Sequence, residues 1–131
     1  MSAFVDVRET REIRAEWWEE GEAVTIRKLS FLDRRYIAGQ SATYGKPRED
    51  GTRSVFVDTE AMDLAILEKG IVRWTLKRPN GKIAPLTREM LRKLGEADGE
   101  YIVNAIHEYN PRRSAAEQAR FRGGAGDGAE E

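Results

Sequence analysis

The stretch Thr59–Gly70, TEAMDLAILEKG, constrains this chain more than any other. It follows Asp58, which with Thr59 suits a helix N-cap, and it ends on a glycine suited to a helix stop, so it reads as a helix. Met62, Leu64, Ala65, Ile66 and Leu67 leave only Glu60, Asp63, Glu68 and Lys69 to meet water. A helix this apolar has to be covered, either at the centre of its own domain or in an interface with another protein. The residues that follow offer cover. Val72, Trp74 and Leu76 alternate with Arg73, Thr75 and Lys77 in the period of a half-buried strand. Leu64, Leu67, Ile71 and Trp74 also fall near helical spacing, so residues 71–77 stay open between strand and helix. Arg78-Pro79-Asn80-Gly81 then favours a type I turn with glycine in the bulge, making a short hairpin. Its return arm holds Pro85 and must lie at an edge or leave the sheet. Thr87 caps a short helix that stops at Gly95, and Glu96 to Gly99 read as a linker. Tyr101, Ile102, Ala105, Ile106 and Tyr109 make the apolar stripe of a last helix, which Asn110-Pro111 ends.

Upstream the signals are shorter. Phe4, Val5 and Val7 suit a short edge strand or a frayed end, and residues 1–16 are taken as an N-terminal segment. AEWWEEGEAVTIRKL reads as an N-terminal hairpin, with Trp17 and Trp18 before a polar turn and Val24 and Ile26 alternating with Thr25 and Arg27. On a strand only one of two adjacent tryptophans faces inward, and the other marks a candidate contact surface. Its bland alternative is cover by a neighbouring helix or by the N-terminal segment. Ser30 with Asp33 opens a helix that presents Phe31, Tyr36 and Ile37 to the core and Arg34-Arg35 to water, ending near Gly39. Residues 43–54 read as a loop, and Val55, Phe56 and Val57 as a short strand or extended entry. Gly45-Lys46 lacks the first glycine of a phosphate-binding loop, since position 40 is Gln40. The predicted organisation is a small single α+β domain over 17–110, mainly helical, with an N-terminal hairpin and a second short one. An Arg-rich extension follows over 111–122, then a disordered tail over 123–131, GGAGDGAEE, which has too little apolar surface to order itself.

Chemistry-bearing patterns are few. The 22 basic and 23 acidic residues nearly cancel, so no net field draws the chain to nucleic acid or to an anionic membrane. With no cysteine there is no disulfide framework, thiolate metal site or cysteine nucleophile. His107 is the single histidine, and one imidazole beside Glu108 falls short of the three or four ligands of a metal centre. Glu19-Glu20 and Glu49-Asp50 lie in polar turns, where nothing splits their pKa values into acid and base roles. The expectation is a non-enzymatic protein without cofactor or metal. No apolar run is long enough for a signal peptide or a membrane span, which points to the cytosol.

The element order from Trp17 to Asn110 resembles the small tail assembly chaperones of long-tailed bacteriophages. The likeness is carried by WWEEGEAVTIRKLSFLDRR, by LAILEKGIVRWTLKRPNGKIAPLTREMLRKL and by EYIVNAIHEYNP. The adjacent tryptophans and the Arg-rich extension depart from the family pattern. The resemblance implies a protein of the host cytoplasm that coats the apolar tape measure protein before the tail tube protein polymerises around it. It also implies a longer product made by ribosomal frameshifting. Homo-oligomers are compatible with it. The partner-binding candidates are Trp17, Trp18, Met62, Ile66, Leu67, Arg112, Arg113 and Arg120. A structural virion component, such as a head-tail connector or tail-tube accessory, is the alternative. A small DNA-binding regulator using Arg112, Arg113, Arg120 and Arg122 is the third.

Overall fold

The computed structural model describes residues 3–111. Arg112, Arg113 and Arg120 lie outside them, with the remainder of the Arg-rich extension and the 123–131 tail. In the described residues the chain runs β1 (Thr10–Ile13), β2 (Val24–Arg27), α1 (Phe31–Ser41), β3 (Ala42–Tyr44), β4 (Val55–Val57), α2 (Thr59–Gly70), β5 (Ile71–Trp74), α3 (Arg88–Arg92) and α4 (Glu96–Tyr109). This is a small α+β arrangement with four helices and two small antiparallel sheets among the described residues. Helices take fewer than half of those residues, so "mainly helical" overstates their share.

β2 is the middle strand of a three-stranded sheet in the order β1-β2-β5. Val24 and Ile26 on it are fully buried, as are Ile102 and Ile106 of α4, and these four side chains centre the core. Burying one such aliphatic side chain contributes roughly 1.5–3 kcal/mol. Ile66, Leu67, Ile71, Trp74, Leu76, Leu91 and Tyr109 belong to the same cluster. The indole N–H of buried Trp74 donates to the Ala84 carbonyl at 2.8 Å, so the return arm after the Arg78–Gly81 turn satisfies it. Gly81 sits at φ 84° in that turn, as its bulge requires. Thr75 stitches the sheet to the preceding loop: Ala23 N–H donates to its hydroxyl, which donates to the Gly21 carbonyl.

Residues 71–74 are strand, and a register shift opposite Thr25/Ile26 changes which side chains go in. Ile71 and Trp74 are buried while Val72 is exposed, because a bulge breaks the strict alternation that placed Val72 inward. The first arm of the N-terminal hairpin is Thr10–Ile13, paired from Thr10↔Arg27 to Ile13↔Val24. It lies upstream of the position the tryptophan-led pattern suggested, and Trp17 and Trp18 fall in the connection instead of on a strand. The loop expected over 43–54 begins with strand β3, which pairs with β4 as a separate two-stranded ribbon. Residues 96–99 are the first turn of α4 and not a linker: Gly99 N–H bonds to the Gly95 carbonyl at 2.8 Å, and Glu96 and Asp98 favour the positive helix end.

The capping readings fare better. Ser30 and Asp33 form a reciprocal capping box, Asp58 accepts from Ala61 N–H, and Thr87 accepts from Met90 N–H. Phe31, however, is exposed, with the Arg35 guanidinium 4.9 Å from its ring centre. As the first residue of α1 it precedes the turn that packs on α2, where Ile37 meets the core edge. Gly70 ends α2 without a left-handed conformation. Its missing side chain serves packing, since a Cβ there would lie 2.5 Å from Ile106 Cδ1.

Candidate protein interaction surfaces

Trp17 and Trp18 turn to the same side. Both indole N–H groups donate to one oxygen, Asp98 Oδ1, at 2.6 and 2.7 Å, using the two lone pairs a carboxylate oxygen offers. Both rings meet Tyr101 edge-on, with centroids 5.6 and 5.4 Å apart. The Tyr101 hydroxyl donates to the Arg14 carbonyl at 2.8 Å, closing the cluster. The pair therefore pins the β1–β2 connection onto the first half of α4. Trp18 is half-buried, while Trp17 keeps 57% of its surface open beside this anchor.

Ile66 and Leu67 are buried in the chain's own core, and Met62 is half-buried against it. α1, α3 and α4 already cover most of α2, so the apolar helix is central to the fold, and Ile66 and Leu67 are taken up by the chain's own core instead of standing open to a partner. Arg112, Arg113 and Arg120 lie outside the described residues.

Two surfaces went unread in the sequence. The first is the β3–β4 ribbon. Its register, Ala42↔Val57, Thr43↔Phe56 and Tyr44↔Val55, puts Ala42, Tyr44, Val55 and Val57 on one face and Phe56 with Thr43 on the other. Tyr44, Val55, Phe56 and Val57 are each about 60% exposed, and the ribbon makes few contacts with other elements. Its tip is well tied. Asp50 Oδ1 accepts from the backbone and hydroxyl of Thr52, which lowers the Asp50 pKa, and the Arg48 guanidinium reaches the hydroxyls of Thr52 and Ser54. The Val55-Phe56-Val57 run carried a strand signal. Its partner was hidden because Ala42-Thr43-Tyr44 continues directly from a helix.

The second surface is a groove of ≈ 1030 Å³ between α2, α3 and α4. Its edge holds Asp58, Glu60, Asp63, Glu68, Glu96 and Glu100, with Arg88 and Arg92 the arginines among its lining residues. Arg88 pairs with Glu68 at 2.8 Å, and that hydrogen-bonded guanidinium holds the Glu68 carboxyl below the ordinary glutamate range. His107 lines the same groove as a lone imidazole, and no group of three or more potential metal ligands occurs among the described residues. No protein-family model, curated protein or solved structure matches the chain.

Proposed function

We propose that this chain is a non-enzymatic tail assembly chaperone of a long-tailed bacteriophage, which binds the tape measure protein and shields its apolar helical surface in the host cytoplasm until the tail tube protein closes around it. The observation that carries this reading is the uncovered ribbon face of Tyr44, Val55 and Val57. A two-stranded ribbon is marginal in water by itself, and three large apolar side chains left open on one face favour a protein partner. The element order supports the same reading through its family resemblance.

The test is co-expression with the long helical protein encoded next to it, followed by pull-down and light scattering. The expected result is a soluble complex with the full chain and precipitation of the client alone. Replacing Tyr44, Val55 and Val57 by Thr keeps strand propensity while removing the apolar face, and should abolish the complex. Failure of the native chain to retain any long helical client would refute the chaperone reading. Mass spectrometry of purified particles separates the alternative: stoichiometric recovery there would make the chain a structural virion component.

A further inference from the structure

The groove has the dimensions and the chemistry of a helix-binding site. α4 lines one wall with Glu96, Gly99, Glu100, Val103, Asn104 and His107, a three-to-four-residue spacing that keeps one continuous face. From Glu96 to His107 that face runs for about 16 Å, or three helical turns. α2 supplies the facing wall, and α3 with the turn after it closes the side through Leu91 and Leu94. Leu64, Leu94 and Val103 remain only half-buried, so apolar surface at the groove floor still meets water.

The charges around that floor are unbalanced. Glu68 is matched by Arg88, but Glu60, Asp63, Glu96 and Glu100 have no ion-pair partner among the described residues. The whole chain carries only −1, so this is a local concentration of negative charge and not a property of the composition. Phosphate-bearing ligands are repelled by it. An apolar floor of Leu64, Leu94 and Val103 between acidic banks, along a face three turns long, complements a helix with aliphatic residues at i, i+3 or i+4 and i+7, flanked by Lys and Arg.

We propose that the α2–α3–α4 groove docks a basic amphipathic helix of a partner protein, with Leu64, Leu94 and Val103 receiving its apolar face and Glu60, Asp63, Glu96 and Glu100 its flanking cations. This binding stands whether or not the tape measure protein is the client of the ribbon.

The probe is a fluorescent peptide of about 18 residues, long enough for a marginal helix, built from Leu, Lys and Arg with leucines at helical spacing. Anisotropy titration of the full chain should give saturable binding in the micromolar range. A scrambled peptide of the same composition should bind at least about tenfold more weakly. So should the native peptide to a full chain carrying Glu60→Gln, Asp63→Asn, Glu96→Gln and Glu100→Gln, all exposed positions, in a preparation whose circular dichroism spectrum matches that of the native chain. Equal affinity for the scrambled peptide, equal affinity of the fourfold variant, or no saturable binding overturns the proposal. A rise in peptide affinity on replacing Arg112, Arg113, Arg120 and Arg122 by Ser would identify the chain's own extension as the occupant, and would overturn the assignment to a partner.

Discussion

Asn110 does more than end a helix. Its Oδ1 accepts from the buried Leu29 N–H at 2.7 Å, and its Nδ2 donates to the Arg27 and Ile106 carbonyls at 3.1 and 3.0 Å. Arg34 donates to its backbone carbonyl at 2.9 Å, so one side chain and one carbonyl join β2, α1 and α4. Asn110→Ala strands a buried donor, and urea denaturation should show a loss of about 2–3 kcal/mol. Asn110→Asp should be worse, because a carboxylate would face two carbonyl oxygens. Gly70 makes a second demand at this scale. Gly70→Ala pushes a methyl against Ile106, a strain of about 1–3 kcal/mol, and Ile106→Val removes the closest atom. The double variant should therefore be more stable than the sum of the single losses predicts, which a double-mutant cycle measures.

One polar contact that joins three helices is titratable. Glu68 on α2 accepts from the Arg88 guanidinium of α3 and from the Tyr36 hydroxyl of α1. The hydrogen bond from Arg88, before any other cause, lowers the Glu68 pKa below its ordinary 4.5. A carboxylate with a depressed folded-state pKa stabilises the fold fully above its unfolded value, and that contribution is withdrawn as the pH falls through the lower one. Arg88→Gln should thus flatten the acid limb of the stability profile below about pH 5 while leaving the neutral-to-alkaline limb unchanged in shape. Thermal melts across that range check it. Because Arg88 is half exposed, the native acid limb should also weaken in high salt.

For the whole molecule, the sealed core and the open ribbon predict opposite outcomes for apolar substitutions. Leu67→Ala opens a cavity in the shared core and should cost about 2–5 kcal/mol, with client binding lost only as far as the fold is lost. Val55→Thr with Val57→Thr should leave the unfolding free energy within about 0.5 kcal/mol of the native chain's while removing client retention. Chemical denaturation and pull-down on the same preparations distinguish them. If Leu67→Ala left stability intact, α2 would not be the centre of this fold.

The local grammar of the chain was legible in advance. Ser30, Asp58 and Thr87 declared their helices because each side-chain oxygen answers an orphan N–H within three residues. Pro79-Asn80-Gly81 likewise declared its turn through backbone preferences that need no distant partner. The apolarity of Thr59–Gly70 required cover, but whether by its own domain or by another chain was decided only when α1, α3 and α4 closed over it. Long-range pairing set the remainder. Trp17 and Trp18 look like strand residues until Asp98, some 80 positions away, draws both indoles to one oxygen. Val72 looks like a core residue until a bulge against β2 turns it outward. The acidic groove is assembled from helices apart in sequence, so no window along the chain contains it. Interactions within a turn of backbone are written in neighbouring residues, whereas which apolar faces remain uncovered and where charges collect depends on how distant elements close on one another.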